Sequence, residues 1–353
     1  MPKLPQSTRG WILNRRPVAS PSPDDVTLTD LPLPDLQDGQ VLVRNTHMAV
    51  LPSMLGLMRA GPLDQRLGVH GPHNPHSAYL PYTLGDPMTG PALGEVLASR
   101  ADTLQPGDTV RHMLGWREHA TAPADTMEHI QPKGLPPSLF LGALGLNGLT
   151  AYAGLTLAAT LRTGDTVFVS AAGGSVGSLA GQIARLKGAA RVIGSAGTSG
   201  KCDRLKAEFG FDAAINYTDD DLTKQLHQAA PDGIDVYFDN VGGDHLHAAI
   251  ECMRHHGRIV LCGMLSQYLS GGGEAGGLPA NVSAAIGKSL TLTGFHVFDH
   301  LDGVPGFAED MPSWIAARQI TCPQTVFDGI DRAHEAFQAL FHGHTTGQTL
   351  VRL

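Results

Sequence analysis

The stretch Val167-Phe168-Val169-Ser170-Ala171-Ala172-Gly173-Gly174-Ser175-Val176-Gly177 constrains this chain's fold more than any other. A short apolar run enters a turn of small residues, and residues 178–187 follow with helical spacing. Glycines at a strand-to-helix turn let main-chain N–H groups approach an anion at the positive end of the helix. The segment therefore predicts a dinucleotide-binding turn of AxxGxxG type, with Gly174 and Gly177 as its key pair and Ser175 and Val176 between them. A plain structural turn is the alternative. Beyond it a strand at 191–195, a helix at 201–209 and a strand at 213–215 complete a βαβαβ unit, which implies a parallel sheet with right-handed crossovers. Residues 234–238, 258–262 and 290–295 read as further strands, with a helix at 244–255.

NAD-selective sites carry a carboxylate at the end of the second strand for the ribose 2′-hydroxyl. Here that place reads Gly194-Ser195-Ala196-Gly197-Thr198-Ser199-Gly200-Lys201, with hydroxyls and an ammonium but no acid. Ser195 and Lys201 suit a 2′-phosphate, so NADPH is the expected coenzyme; a solvated Lys201 is the alternative. Tyr217, ending the third strand, is placed to add a phenolic hydrogen bond or to be an ordinary strand-end tyrosine. Asp239-Asn240-Val241-Gly242-Gly243 and Cys262-Gly263-Met264-Leu265 each follow an apolar strand. Loops at that end of a doubly wound sheet should wall the ribose and nicotinamide.

The first third has another texture: short β-type runs at 41–43, 92–98 and 108–113 between turns, as in an antiparallel β domain. Near Ser138 the pattern becomes helix-like through residue 160, and residues 321–353 return to strand, helix (332–341) and strand (349–353). The expected architecture is an α/β chain with a β-rich domain over 1–138, a Rossmann domain over 139–314, and 315–353 returning to the first. At 353 residues there is length for two cores. With 25 Lys and Arg against 33 Asp and Glu, the net charge of −8 argues against a nucleic-acid or anionic-membrane surface. No run is apolar enough to span a bilayer and no secretory signal opens the chain, so cytosol is the default location. The 4 cysteines, Cys202, Cys252, Cys262 and Cys322, stand singly and are expected to be reduced thiols.

With these residues in place, the chain resembles the zinc-independent medium-chain dehydrogenase/reductases, in the prostaglandin reductase and plant double-bond reductase branch. The string 169–177, the Asp239 and Gly257-to-Tyr268 segments, Leu84-Gly85-Asp86-Pro87-Met88, Gly148-Leu149-Thr150-Ala151-Tyr152 and Gly347-Gln348-Thr349-Leu350-Val351 carry the likeness in order along nearly the whole chain. The resemblance implies a GroES-like domain joined to the Rossmann domain. It also implies NADPH-dependent reduction of the carbon–carbon double bond of α,β-unsaturated ketones and aldehydes. Residue by residue, it places Gly174 to Gly177 at the pyrophosphate, and Lys201 and Tyr217 at the 2′-phosphate. Asn240 falls near the nicotinamide half, Phe295, His296 and Val297 at the cofactor end, and Thr345 where the family has an asparagine contact. Tyr268 falls at the active site, as hydrogen-bond donor to the developing enolate or as a tyrosine that only packs against the cofactor. Relatives of this fold are often dimers, so a homodimer is expected by analogy.

The departures concern substrate. Leu51-Pro52-Ser53-Met54-Leu55 replaces the Asp-Pro-Tyr-Met-Arg common in the family, removing a polar and an aromatic pocket contributor. Residues 59–82 run longer than in relatives and are expected to form a lid. Metal is not expected: Gly90-Pro91-Ala92-Leu93-Gly94 stands where zinc enzymes have Gly-His-Glu, and His70, His73 and His76 lie in a proline-broken loop with no acidic neighbour. A quinone reductase and a catalytically silent NADPH-binding redox sensor are the competing functions.

Overall fold

The computed structural model describes residues 4–18, 20–59, 81–269 and 279–353, without the side chains of residues 268 and 269. The chain forms two compact units, one from Met1–Leu141, Gln324–His344 and Thr349–Leu353, the other from Gly142–Pro323 and Thr345–Gln348.

In the first unit β1 (Ser7–Leu13) and β2 (Val26–Pro32) make an antiparallel pair. Then come β3 (Gln40–Ala49), helix α1 (Met54–Arg59), β4 (Ala92–Ser99), β5 (Thr109–His112), β6 (His119–Pro123) and β7 (Glu128–His129). Alternate residues face inward, as a half-buried sheet requires, so that Val41, Val43, Val96 and Val110 share one core cluster.

The second unit is built on six parallel strands: β8 (Thr166–Val169), β9 (Arg191–Ala196), β10 (Ala213–Asn216), β11 (Ile234–Asp239), β12 (Met253–Leu261) and β13 (Thr291–Gly294). Their spatial order, β10-β9-β8-β11-β12-β13, reverses between β8 and β11, which is where doubly wound sheets open a crevice. Its helices are α2 (Leu146–Ala153), α3 (Ser175–Leu186), α4 (Ser199–Phe209), α5 (Leu222–Ala229), α6 (Gly243–Cys252), α7 (Leu265–Leu269), α8 (Ala284–Gly287) and α9 (Val304–Ala316). The strands read as unbroken apolar runs because both faces are covered. Val167, Val169, Val236, Phe238 and Val260 enter one core cluster, while their neighbours Phe168, Tyr237 and Ile259 enter another.

The chain then returns through β14 (Gln324–Asp328), α10 (Ala333–Phe341) and β15 (Gln348–Arg352). β15 pairs antiparallel with β3, giving the order β14-β15-β3-β4-β5-β7, with β6 also on β3. Among the described residues no helix is long and apolar enough to cross a membrane.

Three local expectations shift. The helix expected at 178–187 begins at Ser175, because Gly174 in extended conformation serves as its N-cap. The segment 138–160 is not one helix but a 3₁₀ turn (Pro137–Leu141), α2 and a π turn (Gly154–Ala158). The turn ahead of α2 closes tightly on that helix at Gly148, where a Cβ would lie 1.9 Å from the Ala143 carbonyl oxygen. The helix expected at 244–255 ends at Cys252 and β12 takes over from Met253, with His256 at φ +61° marking an irregular strand. Helices α1, α5, α7, α8 and α9 have no counterpart in the expectations from sequence. Residues 60–80, with His70, His73, His76 and most of the expected lid, lie outside the described residues.

Candidate functional site

All six strands of the second unit run parallel, so their carboxyl ends share one edge of the sheet. At the end of β8, Ala171 adopts φ +48°, a region costly for a residue with a Cβ, and its carbonyl accepts the Gly174 amide at 2.9 Å. Gly177 sits so close beneath this turn that a Cβ would lie 2.4 Å from the Ala171 carbonyl oxygen, which rigid backbone cannot yield. The first-turn amides of Ser175, Val176 and Gly177 have no partner inside α3 and carry the positive end of its dipole.

The segment 345–348 completes this corner. The Gly347 amide donates to the Gly173 carbonyl at 2.8 Å, and Gly347 is restricted to glycine by φ +69° and by a Cβ position 2.0 Å from the Pro323 carbonyl. Thr345 is thereby buried beside the loop. Ser175 Oγ donates to Gln348 Oε1 at 2.8 Å, and Asn147 Nδ2 donates to that same oxygen at 2.6 Å. Nothing in the sequence pattern singles out Asn147 and Gln348 as the partners that fix Ser175; they are 201 residues apart.

At the end of β9, Ser195 Oγ is buried without a hydrogen-bond partner. Thr198 caps α4, its Oγ1 accepting the Lys201 amide at 3.3 Å. The Lys201 stem lies against Gly173, with Cδ 3.4 Å from the position of a Cβ there. Its ammonium makes no ion pair or hydrogen bond with the described residues, and desolvation holds its pKa below the usual lysine range. Tyr217 is tied to the same place, its amide donating to the Ala196 carbonyl at 3.2 Å.

The ends of β8 and β11 are laced together by a carboxylate. Asp239 Oδ1 accepts from Tyr237 Oη at 2.6 Å, from the amides of Val241 at 2.9 Å and Gly242 at 2.8 Å, and from Ser170 Oγ at 3.3 Å. Burial raises its pKa, and these donors offset much of that cost. Asn240 is thereby fixed: its amide donates to Ser170 Oγ at 2.9 Å and its Nδ2 to the Ser170 carbonyl at 2.8 Å. The amides of Cys262 and Gly263 both donate to the Asp239 carbonyl at 2.9 Å, and that of Leu265 to the Asn240 carbonyl at 3.2 Å. Met264 packs on Gly242, where a Cβ would meet its Sδ at 2.5 Å. Burial pushes the Cys262 thiol up to about 12, so it is no thiolate nucleophile. After β13, Phe295 and Val297 are buried, and Phe295 stacks on His300 at 5.0 Å with His296 between it and Val297 in sequence. Ser170 and Tyr237, the two hydroxyls that orient this corner, escape a sequence reading; an acid ending an apolar strand, as Asp239 does, is the one signal of a buried polar knot.

Tyr268 belongs to α7, but its side chain lies outside what the structure describes. In the first unit Leu51 to Leu55 precede and open α1, and a cavity of about 330 Å³ is lined by Met54, Leu57, Tyr82, Asp86, Pro87 and Met113. Among the described residues no three His, Cys, Asp or Glu side chains gather as metal ligands would.

The cradle under Gly177, the orphaned Ser195 hydroxyl and the unpaired Lys201 ammonium fit a phosphorylated dinucleotide, so fold and site together define a dinucleotide-dependent oxidoreductase. Two family models match the chain, one described as zinc-binding dehydrogenase over residues 175–313 and one as N-terminal domain of oxidoreductase over residues 9–130. A 2-alkenal reductase (NADP(+)-dependent) of Nicotiana tabacum is 38% identical over 88% of this chain and 86% of its own. Prostaglandin reductase 1 of Bos taurus is 35% identical over 98% of both. Among solved structures, CurA from Vibrio vulnificus in complex with NADPH superposes with a TM-score of 0.85 at 32% identity, covering 98% of each chain. The chain belongs to the zinc-independent branch of the medium-chain dehydrogenase/reductase family that includes the prostaglandin and 2-alkenal reductases.

Proposed function

We propose that this protein is an NADPH-dependent reductase of the carbon–carbon double bond of α,β-unsaturated ketones and aldehydes. The observation that carries the coenzyme is the Lys201 ammonium, half-buried over the glycine loop with no acid paired to it among the described residues and none at the end of β9. An unpaired, partly desolvated cation is costly until an anion reaches it, and a 2′-phosphate supplies that anion. The neighbouring Ser195 hydroxyl supplies a donor to the same group. The relatives support the reaction class, since those with 35 to 38% identity are named for 2-alkenals and prostaglandins.

When bound, NADPH supplies a hydride for the β-carbon of the conjugated carbonyl. The chain's own part is positioning. The amides at the start of α3 and Thr345 hold the phosphate end, while Asn240, locked through Ser170 and Asp239, and the Cys262–Leu265 loop give the nicotinamide half a rigid wall. The Tyr268 hydroxyl is assigned as donor to the oxygen on which charge develops, and solvent supplies the proton to the α-carbon.

The test pairs a binding and a turnover measurement. Lys201→Ala should weaken NADPH by about tenfold or more while NADH changes little, because only NADPH carries the extra phosphate. Equal losses would end the coenzyme assignment. Wild-type protein with NADPH and a panel of enones, enals and quinones, followed by loss of the reduced nicotinamide absorbance, separates double-bond reduction from quinone reduction. Oxidation by quinones alone, or by no acceptor, would overturn it.

A further inference from the structure

Behind Tyr217 stands a histidine for which the nucleotide site as described has no role. His245, the third residue of α6, is 6% exposed, and its Nε2 is buried without a hydrogen-bond partner. Leaving a buried imidazole nitrogen unpaired is costly, and such exceptions call for a specific reason. Burial lowers the ring's pKa to about 4, so at neutral pH it is uncharged and offers a flat, weakly polar edge. That ring meets the Tyr217 ring edge to face, with centroids 5.0 Å apart and planes at 75°, a favourable aromatic arrangement.

Tyr217 needs such a support. It is 44% exposed, and its hydroxyl makes no hydrogen bond with the described residues that would restrict its rotamer. Its hydroxyl also lies over Gly197, where a Cβ would stand 2.7 Å from Oη and 3.0 Å from Cζ. The phenol therefore has two neighbours that fix it, the His245 ring and the bare backbone of Gly197. Its oxygen is set at the turn that leads from Ser195 into the first residues of α4 and Lys201.

We infer that His245 is a positioning residue for coenzyme choice: it braces Tyr217 so that the phenol hydroxyl faces the extra phosphate of NADPH. The inference rests on the NADPH assignment above. It predicts that His245 acts only through Tyr217 and only on the coenzyme that carries that phosphate.

Equilibrium titration of NADPH and NADH, read by coenzyme fluorescence, tests it without turnover. Tyr217→Phe should weaken NADPH by about tenfold and NADH little, since a hydrogen bond to a charged group is lost. His245→Ala should give a smaller loss of the same selectivity, His245→Phe should restore it, and His245→Ala combined with Tyr217→Phe should be no worse than Tyr217→Phe alone. Gly197→Ala pushes on the same phenol through its other contact and should reproduce the NADPH-selective loss, even if emptying the His245 site impairs folding. Equal losses for both coenzymes, additive losses in the double variant, or an unaltered preference in Gly197→Ala would overturn the role of His245 and leave the NADPH assignment standing. A wild-type protein that does not prefer NADPH would overturn both.

Discussion

At the scale of single residues, the proposed coenzyme site leaves a few polar groups unsatisfied that a phosphorylated coenzyme would satisfy. Lys201 is the clearest, and its charge sets a pH limit. Burial lowers its pKa below the ordinary 10.5, and only the protonated form attracts phosphate. NADPH affinity should therefore be full below that lowered pKa and fall as pH rises through it, on the alkaline side but before free lysine would titrate, while NADH affinity stays flat. Titrations of both coenzymes from neutral to alkaline pH check this, and parallel curves would contradict it. Tyr268 is legible only through the family resemblance. Tyr268→Phe should lower turnover of an enone by roughly ten- to a hundredfold with NADPH affinity unchanged, and unaltered turnover would remove its hydroxyl from the chemistry. Lys201 and the glycines announce themselves because their chemistry is local. Ser170, Asn147 and Gln348 do not, because each matters for a partner found far along the chain.

At the scale of elements, the β8–α3 turn shows how a close approach is enforced. In Gly177→Ala the new methyl would stand 2.4 Å from the Ala171 carbonyl oxygen and 2.9 Å from Ala172 Cα, backbone atoms that cannot rotate away. The helix must lift from the strand, at a cost of about 3 kcal/mol, and with it go the amides proposed to hold the phosphates. Gly200→Ala, in the first turn of α4 with nothing within 4 Å, should instead leave stability unchanged or raise it by about 0.5 kcal/mol. Denaturant unfolding of the two variants compares them directly; similar losses would mean that close contact is not the reason for Gly177. Element type was readable where period and punctuation agree, as in β8, β9, α4 and the 324–352 return. It misled at 138–160 and 253–255, where a helical spacing of apolar residues is overridden by glycine turns and by pairing of β12 with β11.

At the scale of the molecule, both units carry a buried neutral histidine, His112 in the first and His245 in the second, each with its pKa lowered to about 4 from 6.5. In both the unfolded chain binds the proton more readily, so stability is complete above pH 6.5, declines as pH falls toward 4, and is flat below. Each contributes about 3 kcal/mol of acid sensitivity across that window. His112→Asn, which keeps an acceptor for the Leu114 amide that now donates to Nδ1 at 3.0 Å, should lower stability at neutral pH yet reduce the slope between pH 6.5 and 4. An unchanged slope would place the acid sensitivity elsewhere. The amino-acid order by itself determined the parallel sheet, the glycine turn and the preference for a phosphorylated coenzyme, because these depend on residues within about 30 positions of one another in a βαβ unit. Only the tertiary structure decided which hydroxyls lock Asn240, that residues 345–348 close over the glycine loop, and that a histidine stands behind Tyr217. Those depend on which distant segments the sheet brings within hydrogen-bonding distance, and packing, not local preference, makes that choice.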